Sequence, residues 1–289
     1  MAKGIREIKR QIKSIQNTKQ ITKAMEMIAA ARLRRSQEAA QSARPYAQKL
    51  REVITSIASA SGNASHPMLQ KRPIRKTGYV IITSDRGLAG GYNANLLRKV
   101  STTLRDKHTS SDEYMIFVLG RKGRDFMRRR NIPLAFETIG LNDFPRFSDI
   151  KVLAATAVKA YETGTIDELV LVYNEFVSAI SQRPVEKTLL PLSDSSEQGN
   201  RGATASYEFE PSPEAVLEHI LPRYAETLIY SAVLEGKASE FGARMTAMSN
   251  ATKNATKLIG ERTLQYNRAR QASITQEITE IVAGANAQG

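Results

Sequence analysis

The first 60 residues carry apolar side chains at the spacing of a long helix. Steps of three, four and three separate the first four of them, which is the spacing of a coiled-coil seam: Ile5, Ile8, Ile12 and Ile15. Continuing that register would place Lys19, Thr22 and Glu26 in the seam, whereas the apolar positions resume out of phase: Ile21, Met25 and Ile28. We therefore expect one helix that continues past this point while its seam rotates.

The same helix is expected to extend well beyond this change of phase. Alanines at positions 29–31 keep the helix propensity high. The first proline is Pro45, where a kink is expected, with a second helical piece running to about Ser59. The stretch SGNASHPMLQKRP, residues 61–73, is typical of a linker.

Between residue 76 and about residue 192 the pattern changes to short strands alternating with helices. GYVIITS, YMIFVLG and ELVLVYNEF are rich in β-branched and aromatic residues and predict strands, and the segments 93–107, 121–131 and 149–164 have helical spacing. This alternation predicts a mostly parallel sheet with helices on its faces. RPVEKTLLPL predicts an edge strand with Pro184 near its start, followed by a polar loop at 193–206.

The C-terminal segment has the longest apolar stripe in the chain. From Leu217 to Arg262, successive positions of the stripe are separated alternately by four and three residues. The alternation is broken once, between Ser231 and Leu234. No proline follows Pro222, and one helix from Glu214 to Val282 would be about 100 Å long.

A helix of that length must bury its stripe against another element. The N-terminal helix is the obvious partner, so the two chain ends are expected to form an antiparallel coiled coil with the middle segment inserted at one end. The last part of the C-terminal helix would then extend alone. Its apolar positions need a partner from another chain: Ile274, Ile278, Ile281 and Val282.

Charge and composition narrow the classes of function. The chain has a net charge of +13, and residues 1–51 contain thirteen basic and three acidic side chains, a local excess of +10 that attracts acidic partners. There is no cysteine, and the three histidines are isolated in sequence, so no metal site is expected. No run of about eighteen apolar residues is present, and no h-region follows the first charges, so we expect neither a membrane span nor a secretion signal.

A glycine-rich stretch, TSDRGLAGGYN, follows the first predicted strand and precedes a helix. Its glycines at 87, 90 and 91 fit neither the dinucleotide fingerprint nor the phosphate loop. They supply positive φ and close backbone approach, which a strand-to-helix turn needs. A structural or docking role is therefore favoured over nucleotide binding.

Several long stretches resemble the gamma subunits of bacterial F-type ATP synthases. They occur in the order found in that family and cover both ends and the insert: SIQNTKQITKAMEMIAAARLRRSQ, SDRGLAGGYN, FEPSPEAVLEHILPRYAETLIYSAVLEGKASEFGARMTAMSNAT and YNRARQASITQEITEIVAGA. The resemblance implies an α/β protein in which a long antiparallel coiled coil of the N- and C-terminal helices carries an inserted Rossmann-like α/β domain. The implied division is 1–60 for the first helix, 74–206 for the foot domain and 207–289 for the second helix.

The resemblance also implies partners and location. Such a chain is a rotor shaft inside the hexamer of alpha and beta subunits, with its foot on the epsilon subunit and the ring of c subunits. It lies at the cytoplasmic face of the cell membrane without inserting into it. Catalytic residues for ATP belong to other subunits, so no catalytic, cofactor or metal site is expected here.

Three groups of residues match partner contacts in the family. Met25, Arg270, Gln271 and Thr275 correspond to contacts with the alpha and beta head. The loop after the first strand, with Asp85, Arg86 and Gly87, corresponds to a surface facing beta and epsilon. Tyr207, Phe209 and Glu210 correspond to the foot near epsilon and the c ring.

Alternatives exist for most of these residues. Met25 also suits a seam position packed on the C-terminal helix, and Tyr207 with Phe209 equally suits a packing anchor within a domain. A lone arginine such as Arg270 is ordinarily a solvated helix charge. In two places the sequence departs from the family: Phe241-Gly242 lies where alanine-rich sequence is common, and Lys253 replaces a common acidic residue.

Two other classes of protein share features with this sequence. The basic N-terminal segment could bind nucleic acid, but Tyr46 is its only aromatic residue and no recognised binding motif is present. A nucleotide-binding enzyme would need a different glycine spacing. Neither nucleic acid nor a nucleotide is therefore an expected partner.

Overall fold

The computed structural model describes residues 2–60, 66–192 and 212–288, and the chain forms two compact units. The first, the helix-pair unit, contains Met1–Ala29 and Met245–Gly289, and the second, the α/β unit, contains Ala30–Arg244. Helix α1 is Ala2–Ala60 and helix α5 is Pro213–Gln288, as the sequence pattern predicted for long terminal helices. Because α1 includes Pro45 without interruption, the predicted division into two helical pieces is wrong.

The seam of the helix-pair unit keeps one register along α1, contrary to the expected rotation. Thr22 and Ala29 are buried on α1, and Thr252 Oγ1 donates a hydrogen bond of 2.9 Å to Thr22 Oγ1. Ile21 and Ile28 are instead 61% and 50% exposed. A strict three-and-four spacing keeps the same face of a supercoiled helix towards its partner, so nearby apolar residues do not rotate the seam.

Helix α5 continues past the positions that its partner helix buries. In the helix-pair unit, half-buried positions on α5 recur at steps of three and four up to Ser273. Beyond them the apolar side chains are between 47% and 72% exposed, as the sequence predicted for a tip that lacks a partner within the chain: Ile274, Ile278, Ile281 and Val282.

The α/β unit contains a five-stranded sheet in the order β3-β2-β1-β4-β5. The strands are β1 Thr77–Ile82, β2 Tyr114–Leu119, β3 Phe136–Thr138, β4 Glu168–Ser178 and β5 Ser181–Leu190. All neighbours pair in parallel except β4 and β5, and β5 is an edge strand as predicted. Strand β3, of three residues, was not predicted because it is too short to show a period.

Helices cover both faces of this sheet. They are α2 Tyr92–Lys107, α3 Arg121–Arg129 and α4 Phe147–Glu162. On one face Val80 and Ile82 of β1 belong to a core that includes α4 and residues of α1 and α5. On the other face Tyr79 and Ile81 belong to a core with α2. Since both faces are covered, the central strands are apolar throughout rather than alternating.

Helices α1 and α5 run antiparallel within the α/β unit. The guanidinium of Arg32 lies 5.9 Å from the ring centroid of Phe241. Arg51, farther along α1, is close enough to Tyr224, nearer the start of α5, for its charge to oppose the rise in the pKa of that phenol that burial causes. The contacts therefore move backwards along α5 as α1 advances.

Candidate functional site

The loop after β1 is fixed by the carboxylate of Asp85. Its Oδ1 accepts hydrogen bonds from the backbone N–H groups of Arg121 at 2.9 Å and Gly140 at 3.0 Å, and its Oδ2 accepts one from Leu141 at 3.0 Å. One side chain thus ties the loop to the start of α3 and to the loop after β3. The carboxylate of Asp85 therefore fixes the backbone of this loop.

The same loop also supplies acceptors to the N-terminus of α3, the helix that follows β2. The backbone N–H of Lys122 donates to the carbonyl of Ser84 at 3.0 Å, and that of Gly123 donates to Thr83 Oγ1 at 2.9 Å. Together with the Arg121 N–H held by Asp85, three first-turn donors already have partners within the chain. This end of α3 therefore does not offer the free amides that bind anions.

Side chains that project from this loop are Arg86 and Leu88. Both are exposed, and Leu88 adopts a φ of 62°, two residues before Gly90, whose φ is 56°. The carbonyl of Gly87 accepts a hydrogen bond of 3.2 Å from Arg244 Nη2. The loop thus presents an apolar and a cationic side chain on a rigid base.

That rigid base includes three buried charges on α5 that sequence analysis missed. Glu240 forms ion pairs with Lys237 at 3.3 Å and with Arg244 at 2.8 Å, and all three side chains are nearly inaccessible to solvent. We name Lys237, Glu240 and Arg244 the α5 charge triad. Its sequence signal was KASEFGAR, where charges at steps of three and four interrupt an apolar stripe.

Further hydrogen bonds join α5 to the sheet beside the charge triad. Tyr92 donates through its hydroxyl to the carbonyl of Gly236 at 2.9 Å, and burial raises the pKa of this phenol. Asn174 Nδ2 donates to the carbonyl of Tyr92 at 3.2 Å. A Cβ on Gly242 would lie 3.0 Å from the carbonyl oxygen of Ala179, which gives a physical reason for glycine at this departure from the family pattern.

The predicted head contacts lie on the helix-pair unit and are accessible. Met25 is half-buried beside the seam, whereas Arg270, Gln271 and Thr275 are exposed. The hydroxyl of Thr275 donates to the carbonyl of Gln271, one turn earlier on the same helix, at 3.0 Å. At 100° per residue, these three exposed residues lie within about 140° of one another on the helix surface.

The predicted foot contacts Tyr207, Phe209 and Glu210 lie outside the described residues. Within the described ranges, no group of three His, Cys, Asp or Glu side chains could hold a metal ion. In the same ranges, no helix has the length and apolarity needed to cross a membrane.

Comparisons with known proteins agree along the whole chain. A family model described as ATP synthase matches residues 4–288. The ATP synthase gamma chain of Brevibacillus brevis is 63% identical over 288 residues, which cover 100% of both chains.

Solved structures give the same result for the fold. A chain from the central stalk and c-ring of the Tetrahymena thermophila mitochondrial ATP synthase matches with a TM-score of 0.60 and 26% identity, covering 80% of this chain and 99% of that one. A chain from the rotor of the Euglena gracilis enzyme matches with a TM-score of 0.66 at 21% identity, covering 95% and 100%. On the family model and the full-length identity, the chain belongs to the family of ATP synthase gamma chains.

Proposed function

We propose that the chain is the central rotor shaft of an F-type ATP synthase. It couples ion-driven rotation of a c ring to ATP synthesis or hydrolysis in a head of alpha and beta subunits. The observation that carries this proposal is the 63% identity to a bacterial gamma chain over the full length of both proteins. The resemblance to a central-stalk chain at 26% identity supports the same role.

The chain is a non-catalytic subunit in this proposal. Its glycine-rich loop lacks the glycine spacing of a nucleotide-binding loop, and the first-turn donors of the nearby α3 bond to Asp85, Ser84 and Thr83. ATP chemistry therefore takes place in other subunits, and this chain changes their conformation by binding them.

A shaft drives a ring of sites only if its faces differ and each conformation of a head subunit prefers one of them. The helix-pair unit meets this requirement. One face of α1 exposes Ile21 and Ile28, and the end of α5 exposes Ile278 and Ile281. At 100° per residue, Arg270 and Gln271 share the face of Ile278 and Ile281, whereas the exposed polar residues Arg268 and Thr279 lie on a face of α5 about 120° away. Rotation would present these surfaces to each head subunit in turn.

Partner surfaces follow the family pattern in this proposal. Met25, Arg270, Gln271 and Thr275 contact the head, and the loop with Asp85, Arg86 and Gly87 contacts beta and epsilon. In that loop Arg86 makes the contact and Asp85 holds the backbone in place. Tyr207, Phe209 and Glu210, outside the described residues, contact epsilon and the c ring. The chain is then a peripheral protein at the cytoplasmic face of a bacterial membrane.

The test replaces Arg270, Gln271 and Thr275 by alanine together. An accessible ion pair contributes only about 0 to 1 kcal/mol, so the single Arg270→Ala variant is expected to be mild. The triple variant should assemble and should lower ATP-driven ion pumping by a factor between about two and ten, since a few such contacts are lost. ATP hydrolysis and pumping are measured on the same inverted vesicles at low and high salt.

A matched control replaces one arginine, one glutamine and one threonine on another face of the same helix: Arg268, Gln276 and Thr279. These residues are also exposed, and their mean direction differs by about 110° at 100° per residue. The control should pump like the unmodified complex. If the test and control variants match in both activities at both salt concentrations, this face of α5 transmits no torque.

A further inference from the structure

A basic groove lies between α2 and α3 on the surface of the α/β unit. Its volume is about 560 Å³, and none of the described residues that line it is acidic. Its rims carry five cations: Arg98, Arg105, Lys122, Arg129 and Arg130. Its floor contains Leu97 and Phe126. We call this feature the α2–α3 groove.

The cations form two rows separated by an apolar floor. Arg98 and Arg105 are seven residues apart on α2, and Lys122 and Arg129 are seven residues apart on α3. Seven residues are two turns, so each pair lies on one face of its helix and is spaced by about 10 Å. Each rim therefore offers positive charge at the repeat distance of a helix.

Part of this charge is uncompensated within the chain. Arg105 pairs with its neighbour Asp106 at 3.0 Å. Arg130 donates to Ser101 Oγ at 2.8 Å and its guanidinium lies 4.2 Å from the ring centroid of Phe126. Among the ion pairs found between described residues, none includes the side chain of Lys122, Arg129 or Arg98.

The electrostatic effect of the groove reaches the nearest carboxylate on α3. The pKa of Asp125 is lowered mainly by its hydrogen bond with Arg124; burial opposes this shift, and the charges of Arg124, Arg129 and Arg121 each lower the pKa by a smaller amount. Positive charge on α3 therefore exceeds what its one acidic residue neutralises. An acidic ligand would relieve this excess.

The shape of the groove selects among acidic ligands. A nucleotide or a free phosphate concentrates its charge at one point, whereas these cations are spread over two turns of two helices. A bilayer surface binds apolar side chains that protrude, whereas Leu97 is buried and Phe126 is half-buried between the two cationic rims. Two cationic rows around an apolar strip instead fit an amphipathic helix laid between α2 and α3.

We propose that the α2–α3 groove binds an amphipathic helix of another protein, whose apolar stripe is flanked on both sides by acidic side chains. The apolar stripe packs on Leu97 and Phe126, and the acidic rows pair with Arg98 and Arg105 on one rim and with Lys122 and Arg129 on the other. The inference rests on the proposed function in one respect: it takes the partner to belong to the same rotary complex.

The first test uses the full-length chain and a labelled synthetic helix of about fifteen residues, with leucines at helical spacing flanked by glutamates. Fluorescence anisotropy is expected to show saturable binding that weakens with salt, because accessible charges are screened. A peptide with lysine at every glutamate position is expected not to bind. Equal binding of both peptides, or binding of neither, would overturn the proposal.

A charge reversal on each rim locates the site. The Arg98→Glu, Arg129→Glu variant should bind the acidic helix about tenfold more weakly or worse, because both rims become repulsive at one position. The matched control is Lys151→Glu, Lys159→Glu on α4, which changes the net charge equally at other exposed positions. Circular dichroism checks that both variants fold. Unchanged binding in the groove variant, or equal loss in both variants, contradicts the assignment.

The second test examines the assembled complex. The chain lacks cysteine, so Thr102→Cys, exposed in the groove lining, can carry a photoreactive label at a single site. Mass spectrometry is expected to identify an acidic amphipathic segment of another subunit, and labelling at Val152→Cys on α4 is the control. Crosslinks only to lipid, or none, reject a helix partner. Rotation-coupled pumping is unaffected by that result, so failure of this inference and failure of the shaft assignment are separately visible.

Discussion

The helix-pair unit and the α/β unit bury their residues in different ways. Among described residues of the helix-pair unit, those that are fully buried are small, polar or flexible: Thr22, Ala29, Met248 and Ala255. In the α/β unit, whole strands are buried, and large side chains such as Tyr79 and Phe117 are about 1% exposed. The first unit is a thin contact between two helices, whereas the second has a core on each face of its sheet.

This difference indicates where each unit obtains its stability. The α/β unit contains its own apolar core, so its strands are buried without a partner chain. The helix-pair unit leaves large apolar side chains in water at Ile21, Ile278 and Ile281. Such residues are best buried by other chains, which suits a shaft that binds a surrounding ring.

The largest effect is expected from a cavity in the α/β core. Phe117→Ala should reduce the free energy of unfolding of this unit by about 3 to 5 kcal/mol, because the site is enclosed on β2 and cannot collapse. Hydrogen exchange of the amides in β1 and β2 measures the loss. Val152→Ala, at a position 64% exposed on α4, is the control and should change stability by no more than about 0.5 kcal/mol.

The next largest effect concerns the α5 charge triad. Glu240→Ala leaves Lys237 and Arg244 buried without their counter-ion. This change should lower the free energy of unfolding by about 3 kcal/mol. Glu261→Ala removes an exposed partner of Lys257 at the same helical spacing and should cost less than about 1 kcal/mol. Urea denaturation followed by circular dichroism compares them. Equal effects would show that burial of the triad is unimportant.

A smaller effect, of opposite sign, is expected in the seam of the helix-pair unit. Thr22→Val together with Thr252→Val replaces both hydroxyls of a hydrogen-bonded pair by methyl groups. Removal of both polar partners is near neutral or favourable. The double variant should therefore raise the free energy of unfolding of the helix-pair unit by up to about 1 kcal/mol. Slower hydrogen exchange in residues 15–29 would report this gain. A clear loss of protection would mean that the hydroxyl pair itself holds the register.

The smallest effect is a pH dependence confined to the α/β unit. Burial lowers the pKa of His108; the charge of Glu113 opposes this shift, and the charge of Lys107 adds to it. The His108 side chain is 8% exposed, and its Nε2 lies 2.8 Å from the Tyr79 hydroxyl oxygen. The unfolded chain then binds more protons near pH 6. The stability of this unit should therefore be greatest above pH 6.5 and fall as pH is lowered through the folded-state pKa.

The measurement is hydrogen exchange between pH 5 and pH 8. The His108→Gln variant should show a weaker dependence of α/β-unit stability on pH. The dependence that remains is due to His66, whose pKa is also lowered, mainly by burial. The helix-pair unit contains no histidine and serves as an internal control. A profile that is equally steep in both units would assign the pH dependence to other groups.

Much of the fold could be predicted because its signals are local and repeated. The strand at 168–178 contains the apolar run LVLVY at 169–173, and α5 repeats its spacing over many turns. The candidate site was less predictable. Asp85 was predicted only as a partner contact, and the sequence did not show that its carboxylate accepts N–H groups from Arg121, Gly140 and Leu141, which lie 36 to 56 positions later in the chain.

The sequence by itself determined the class of the elements, their order and the polarity of their faces, since hydrophobic spacing acts within a few turns or residues. Only the tertiary structure decided which face of α1 is the seam, because that face is selected by packing against α5, and small side chains such as Thr22 and Ala29 pack closely where Ile21 does not. It also decided that Lys237, Glu240 and Arg244 are buried together. Their mutual pairing, and the carbonyl of Gly87, compensate a cost that no local pattern predicts.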